Sequence, residues 1–345
     1  MNSEEWERVS DRLFGYEHCL QHPVVFWAAV ATVAILFLSG VAIRLAHRAG
    51  YIQDDTYREL FLRWRSWLII ITLTMVPVLL GAAWTIAAIA MLSIACSYEY
   101  ARSTKLLAEQ MICGIAALGI MVVNFAAIDH DDRLFFAAGP LIVTLIAAAA
   151  ILQDRPHDYL RRVALASFGF LIFGLSLGYI SYLANVADLG NGTDYRPIVT
   201  MIILGVAMND VFGYGVGKVI GGRKLFPNTC PRKTIAGSLG GIALASPVII
   251  LMAHCILRDT RADRWFVLIV LGVGISCLGQ LGDLVIASIK RDVGIKDRSN
   301  HGTEQDGILD RLDSLILVPP AVFHLLCAYL GPLSMNEPAR IITGG

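Results

Sequence analysis

The sequence predicts an all-α, polytopic membrane protein: a bundle of about nine to ten transmembrane helices with no soluble domain. Of its 345 residues, 56% are hydrophobic and only 16% are charged, whereas soluble domains carry about 45–50% apolar and about 25% charged residues. The apolar residues are also gathered into runs that approach the roughly 20 residues needed to cross a bilayer as a helix. The polar segments between these runs are too short to fold as domains.

Ten apolar segments are candidate spans. The second and third share one stretch that breaks near residues 81–84, so we expect a tight hairpin there. The first 22 residues are polar, but Trp6 and Phe14 favour a short helix at the membrane surface. The ten candidate spans are 23–43, 66–83, 85–100, 110–128, 134–152, 163–184, 197–217, 235–257, 265–289 and 308–330.

The basic residues predict how these spans are oriented. Ten spans place both chain ends on one side, and cytoplasmic connections of membrane proteins carry an excess of Lys and Arg. Of the 28 basic residues, 20 lie in alternate connections, namely 44–65, 101–109, 153–162, 218–233 and 290–311. We therefore expect these connections in the cytoplasm and both chain ends outside.

The overall charge and the cysteines exclude other classes of protein. Lys and Arg together balance Asp and Glu at 28 each, so no bulk basic field indicates a nucleic-acid partner. The seven cysteines show no paired spacing, so neither a disulfide scaffold nor a zinc site is expected.

Polar residues collect in the second half of the chain, at the predicted cytoplasmic side. A carboxylate at hydrocarbon depth is costly unless it is paired or bound to a cation, so it marks a functional site by default. The alternative is a structural ion pair between helices, for example Asp283 with Arg311. The residues concerned are Asn209 and Asp210, Gln280 and Asp283, and Asp310, Arg311 and Asp313.

The spacing of these residues indicates the kind of ligand. Asp310 and Asp313 are three residues apart and would share one face of a helix, while Lys290 and Arg291 follow Asp283 by two helical turns. Convergent carboxylates suit Mg²⁺, and neighbouring Lys and Arg suit phosphate oxygens. Segment 218–234 adds five more basic residues, although it could equally be an ordinary cytoplasmic connection. Together they predict a metal–polyphosphate site at the inner face of the membrane.

The same residues resemble the phosphatidate cytidylyltransferase (CDP-diacylglycerol synthase) family. The resemblance covers roughly residues 197–330. The positions that match the family's motifs are Asn209, Asp210, Tyr214, Lys218, Arg232, Lys233, Thr234, Asp283, Ser288, Lys290, Arg291, Lys296, Asp297, Asp310, Arg311 and Asp313. The chain departs from the pattern at Thr303–Gly307, where Gln305 replaces a histidine, and at Ala236, which replaces an acid.

The resemblance implies transfer of a cytidylyl group from CTP to phosphatidate, giving CDP-diacylglycerol and diphosphate. It implies Mg²⁺ at Asp283, Asp310 and Asp313, with a monovalent cation as a further candidate. Lys290, Arg291 and Arg311 would act beside the metal. The expected nucleotide-binding residues are Asn209, Asp210, Tyr214, Lys218, Arg232, Lys233, Thr234, Ser288, Lys296 and Asp297.

Several alternatives stay open. The acceptor could be another lipid phosphate or a polyprenol, and the chain could be an inactive homologue that still binds nucleotide or lipid. An ion-coupled transporter is a third reading, although the intramembrane acids lie in one half of the chain only.

A multi-pass protein of a bacterial-type cell membrane is expected, with the active site on the cytoplasmic side. Membrane lipids and a second copy of the chain are candidate partners. We divide it into a polar segment 1–22, N-terminal spans 23–196, a catalytic region 197–330 with connections 218–233 and 290–309, and a tail 331–345.

Overall fold

The computed structural model describes residues 3–17, 19–186, 188–293, 307–331 and 341–343. Within these ranges the chain is almost entirely helical. The helices are α1 (Ser3–Phe14), α2 (Pro23–Arg48), α3 (Asp54–Leu80), α4 (Ala82–Ser103), α5 (Gln110–Asp129), α6 (Asp132–Leu152), α7 (Tyr159–Gly169), α8 (Leu177–Ala184), α9 (Arg196–Ile220), α10 (Ile235–Leu257), α11 (Trp265–Asp292), α12 (Leu309–Leu312) and α13 (Val318–Leu330).

The predicted helical membrane bundle is confirmed. In the described part of the chain, nine helical stretches are long and apolar enough to cross a bilayer. One of them runs from α7 to α8 through a π-helical turn, Phe170–Ser176, and another from α12 to α13. The remaining candidate span, 66–83, corresponds to α3, in which only Leu68–Leu80 is a continuous apolar stretch.

The predicted break between the second and third spans lies at Gly81. Its φ of 140° favours glycine, and a side chain there would collide with the backbone carbonyl of Leu13 at the end of α1. The short N-terminal helix expected from Trp6 and Phe14 is present as α1. Its packing against the α3–α4 hairpin is a finding of the structure. Tyr195 also donates a hydrogen bond to the carbonyl of Val78 over 3.1 Å, which fixes α9 against this hairpin.

The second half of the bundle is organised around α9, α10 and α11. Glycines allow α9 and α10 to approach very closely: an added Cβ at Gly237 would lie 2.6 Å from the carbonyl oxygen of Gly213. Small residues at a helix crossing are the usual means of close packing in membranes, where lipid removes the hydrophobic drive between helices. This crossing sets the spacing of the polar residues on both helices.

The connections of the catalytic region are more structured than the sequence predicted. Helix α9 continues to Ile220, and a short antiparallel hairpin follows, with strands β1 (Lys224–Phe226) and β2 (Cys230–Thr234). The predicted single helix from residue 308 is wrong in detail, because the chain forms the four-residue α12, a 3₁₀ turn (Asp313–Leu315) and then α13. Proline at 319 and 320 explains the late start of α13, because proline is tolerated best in the first turn of a helix.

Candidate active site

One cavity of about 730 Å³ lies at the centre of the catalytic region. It opens between α9, α10, α11, the hairpin and the α12 segment, and Ile70 of α3 contributes to its wall. Elements far apart in the chain therefore supply its lining. The predicted site residues that line it are Asn209, Asp210, Tyr214, Lys218, Arg232, Lys233, Thr234, Asp283, Asp310, Arg311 and Asp313.

Three carboxylates form the acidic part of the cavity around a single serine. The Oγ of Ser314 lies 2.8 Å from Asp210 Oδ2 and 2.5 Å from Asp283 Oδ1, and 3.4 Å from Asp313 Oδ1. A serine hydroxyl has one proton to donate, so it satisfies only one of these acceptors at a time. The carboxylates of Asp210, Asp283 and Asp313 also lie near enough to interact electrostatically. Asp313 Oδ1 also accepts the backbone N–H of Ser314 over 2.9 Å, so the three carboxylates share few hydrogen-bond donors.

A buried amide network fixes one side of the acidic group. Gln280 donates through Nε2 to Asn209 Oδ1 over 3.1 Å and to the carbonyl of Ser238 over 3.0 Å. The hydroxyl of Ser238 donates back to Gln280 Oε1. Asn209 is 1% exposed and precedes Asp210, so this network joins α9, α10 and α11 directly beside the carboxylates.

Two lysines from different elements neutralise two of the aspartates. Lys233 of β2 forms an ion pair with Asp283, and Lys290 of α11 forms one with Asp310. Burial disfavours the charged form of Lys233, but the adjacent Asp283 carboxylate outweighs it and raises the pKa of Lys233 above its usual range. Lys233 is therefore charged at neutral pH and neutralises Asp283.

Basic side chains surround the opening of the cavity. Lys218, Lys224, Arg232 and Arg311 all contribute to its lining, and the Lys218 ammonium lies 5.8 Å from the ring centre of Tyr214. Cations near the opening and carboxylates deeper inside match a ligand that carries both a metal ion and phosphates.

Thr234 makes a helix-capping hydrogen bond in addition to lining the cavity. Its Oγ1 accepts the backbone N–H of Gly237 over 3.0 Å and so caps the N-terminus of α10. Because Thr234 follows Lys233 directly, this cap also holds the end of β2 beside the acidic group.

Other predicted site residues lie outside the cavity lining. Lys290 adjoins the lining through Asp310, and Arg291 donates through Nε to the carbonyl of Thr229 over 3.3 Å, which joins α11 to the hairpin turn. Ser288 does not reach the cavity lining, because its hydroxyl donates to the carbonyl of Leu284 one turn back in α11. Lys296, Asp297 and the divergent residues 303–306 lie outside the described residues.

The structure adds residues that the motif comparison missed. Ser314 directly follows Asp313, and Ser238 and Gln280 complete the amide network. Glu99, near the C-terminal end of α4, accepts the backbone N–H of Leu309 over 3.0 Å and so holds the first residue of α12. Gln280 was visible in the sequence as an intramembrane polar residue, but no sequence signal connects Glu99 with a segment 210 residues away.

The carboxylate oxygens of the site are the type of ligand that a hard divalent cation prefers. Their arrangement does not form a complete coordination sphere. Among the described residues, no group of three or more His, Cys, Asp or Glu side chains stands ready to hold a metal ion. Lysine ammonium groups contact two of the four aspartates instead. The donor-poor carboxylates around Ser314 nevertheless offer the all-oxygen environment that Mg²⁺ prefers.

A comparison with known protein families agrees with this site. The sequence model of the cytidylyltransferase family matches residues 61–329, which comprise most of the chain and every element of the cavity. The chain belongs to the cytidylyltransferase family. The resemblance on its polar motifs is thereby confirmed, and with it the prediction of a membrane-bound nucleotidyltransferase of phospholipid biosynthesis.

Individual members of the family are similar to this chain over much of their own length. The phosphatidate cytidylyltransferase of Aquifex aeolicus is 33% identical over 198 residues, covering 56% of this chain and 69% of that protein. That of Bacillus subtilis is 27% identical over 232 residues, covering 66% and 82%. A protein of Escherichia coli K12 named uncharacterized protein YnbB is 28% identical over 277 residues, covering 79% and 89%.

Proposed function

We propose that this cytidylyltransferase acts on CTP and phosphatidate and releases CDP-diacylglycerol and diphosphate at the cytoplasmic face of the membrane. The observation that carries the proposal is the cavity itself, in which Asp210, Asp283 and Asp313 converge on Ser314 beneath a basic opening. The names of the A. aeolicus and B. subtilis relatives support the choice of phosphatidate.

The acidic residues would hold Mg²⁺ with the nucleotide. Asp283, Asp313 and Asp310 were the ligands that the family resemblance implied, and the proximity of Asp210 to Asp283 adds a fourth candidate. Mg²⁺ would offset the charge of the triphosphate and polarise the reacting phosphoryl group. We also propose a monovalent cation beside Mg²⁺, because the negative charge of four carboxylates exceeds the charge of one divalent ion.

The lysines would change partners when the nucleotide binds. In the free enzyme Lys233 and Lys290 neutralise Asp283 and Asp310. An arriving triphosphate brings both phosphate oxygens for the lysines and a cation for the carboxylates. Lys233, Lys290 and Arg311 would then hold the phosphates, and they would stabilise the negative charge of the departing diphosphate.

The acceptor requires little activation by the protein. A phosphomonoester with a second pKa near 6 is largely dianionic at neutral pH, so its oxygen is already a nucleophile and no general base has to take a proton. The main obstacle is repulsion between the acceptor dianion and the triphosphate. Arg232 and Lys218, at the cavity opening, would reduce this repulsion and align the acceptor for in-line attack at the α-phosphorus, breaking the α–β phosphoanhydride bond.

The test is CTP-dependent diphosphate release by the purified full chain in detergent, with Mg²⁺ and with or without phosphatidate. We expect release only when CTP, lipid and Mg²⁺ are all present, and chelation by EDTA should abolish it. Release that is independent of any lipid phosphate would contradict the proposal.

The divergent segment around Gln305 gives a specific reason to test a second acceptor class. A polyprenyl phosphate should therefore replace phosphatidate in parallel reactions. Diphosphate release with polyprenyl phosphate but not with phosphatidate would support cytidylyl transfer to a different lipid acceptor. CTP binding without release on either lipid would identify an inactive homologue, and ion-driven uptake without CTP turnover would identify a transporter.

A further inference from the structure

A second cavity, of about 770 Å³, lies on the opposite side of α9 from the polar one. It is a groove between α2 and α3 on one side and α9 and α10 on the other. Of the described residues that line it, none carries a charge. The lining of α2 extends from Pro23 to Ile43, which at 1.5 Å per residue is roughly 30 Å, the thickness of the hydrocarbon core. We call this cavity the α2 groove.

Two of the polar side chains that line the α2 groove, Trp64 and Ser39, are already hydrogen-bonded within the protein. Trp64 Nε1 and Ser39 Oγ both donate to the carbonyl of Leu36, over 2.8 and 3.1 Å. A groove whose walls are almost entirely apolar suits an apolar occupant. The volume lies in the range of small-molecule sites, about 300–1,000 Å³.

The α2 groove and the polar cavity share two walls. On α9, Met208 and Val211 line the groove, while Asn209 and Asp210 between them line the polar cavity. On α3, Ile71 lines the groove and the adjacent Ile70 lines the polar cavity. The groove and the polar cavity therefore adjoin along the same two helices, α9 and α3.

We propose that the α2 groove binds an acyl chain of the lipid whose phosphate enters the polar cavity. One amphiphile would then occupy both cavities, with its phosphate beside Asp210 and Lys233 and a chain along α2. The proposal rests on the proposed function for the identity of the phosphate. It adds a role for α2, which precedes the region matched by the family model.

The groove should select the acyl chain by shape. An acyl chain leaves lipid for another apolar environment, so it gains little from burial and responds mainly to steric fit. Ala31 lines the groove and is exposed to its space, whereas Val33 is 67% exposed and does not line it. Two residues apart on a helix, their side chains point in nearly opposite directions.

The first experiment compares Ala31→Trp with the matched control Val33→Trp. KM is measured for dioleoyl and for dihexanoyl phosphatidate in the diphosphate-release assay. Ala31→Trp should raise the KM for dioleoyl phosphatidate about ten-fold relative to dihexanoyl phosphatidate, as expected from overpacking, and Val33→Trp should leave this ratio unchanged. An unchanged ratio in Ala31→Trp would overturn the proposal.

The second experiment measures binding and needs no turnover. Wild-type protein is irradiated with a phosphatidate that carries a diazirine in one acyl chain, and the adducts are mapped by peptide mass spectrometry. Adducts on the α2, α9 and α10 walls that excess dioleoyl phosphatidate removes would support the groove, even if no diphosphate were released. Adducts spread evenly over the lipid-facing helices, or mapped to an interface between two copies of the chain, would overturn it.

Discussion

Ser314 is one hydroxyl placed among three carboxylates, and its surroundings explain how the site holds charge before a ligand arrives. It can donate one proton to Asp210 or to Asp283, which lie 2.8 and 2.5 Å away, while Lys233 neutralises Asp283 from the other side. Buried carboxylates are costly without such partners. The same surroundings are the basis for the proposed divalent-cation site.

Asp283 is the carboxylate whose loss we expect to matter most, because it contacts both Ser314 and Lys233. Asp283→Asn removes the charge but keeps the shape, and it should lower kcat for diphosphate release by about 100-fold or more, as is typical when one preorganised electrostatic group is removed. The matched control is Asp292→Asn on the same helix, where the side chain is exposed; its kcat should stay within about two-fold of wild type. Full activity of Asp283→Asn would remove this residue from the proposed metal site.

Glu99 is a positioning residue rather than a catalytic one. Its carboxylate accepts the N–H of Leu309, the residue before Asp310, and a side chain at Gly307 would overlap it. Helix α12 has only four residues and cannot hold its own place, so this contact with α4 helps to fix Asp310 and Arg311 at the cavity.

We expect Glu99→Ala to lower kcat about ten-fold through misplacement of Asp310, with a small change in the thermal midpoint. Glu99→Gln keeps a carbonyl oxygen that can accept the same N–H, and it should retain most of the activity. Steady-state kcat for diphosphate release, measured for both variants in detergent, tests this expectation. Equal losses in both would show that the negative charge, not the hydrogen bond, is what Glu99 contributes.

At the scale of elements, the crossing of α9 and α10 determines the width of the polar cavity. Gly237 lies in the first turn of α10, three residues after the capping Thr234, and packs against Gly213 and Gly217 of α9. A Cβ at Gly237 meets backbone atoms, which cannot move aside as a flexible side chain would. These three glycines therefore have a packing role at the helix crossing.

The matched pair Gly237→Ala and Gly215→Ala tests this crossing. Gly237→Ala should destabilise the protein by about 1–3 kcal/mol, because the added methyl group overpacks the interface. Gly215 lies on α9 with open space around its Cβ position, so Gly215→Ala should be neutral or slightly stabilising. Thermal unfolding in detergent measures both, and equal midpoints would contradict the packing role.

At the scale of the whole molecule, the distribution of basic residues bears on how α3 lies in the membrane. The basic segments 44–65 and 101–109 fall on the same side only if α3 and α4 both cross the bilayer. Helix α3 has 27 residues, about 40 Å at 1.5 Å each, which is sufficient for a crossing although only Leu68–Leu80 is continuously apolar. The charge bias therefore favours ten crossings, with the polar cavity facing the cytoplasm.

This orientation predicts which connections an impermeant thiol reagent reaches in intact cells. In a variant without Cys255, the one exposed cysteine among the described residues, Lys224→Cys in the hairpin should react only after the membrane is permeabilised. Asp259→Cys, between α10 and α11, should react from outside. Labelling in the reverse pattern would invert the proposed topology.

Much of the site was predictable because polar and charged residues are unusual within apolar helices. Asn209, Asp210, Asp283 and Asp313 stand out in apolar helices, where a charge requires a reason, and all of them line the cavity. Ser288 was predicted from motif matching, but a hydroxyl on a helix often bonds to the preceding turn, as it does here. The split of the last span into α12, a 3₁₀ turn and α13 was missed because an apolar run does not reveal where its backbone changes geometry.

Composition, run length and charge bias thus determined the membrane bundle and its expected orientation, because a bilayer imposes the same demands on every segment that crosses it. The polar motifs determined the cytidylyltransferase chemistry, because few residue types hold a metal ion and phosphates. Only the tertiary structure decided which charges meet: Lys233 with Asp283, Lys290 with Asp310, Glu99 with the backbone of Leu309. It also decided that an apolar groove along α2 adjoins the polar cavity, since contacts between distant segments depend on how helices pack and not on any local pattern.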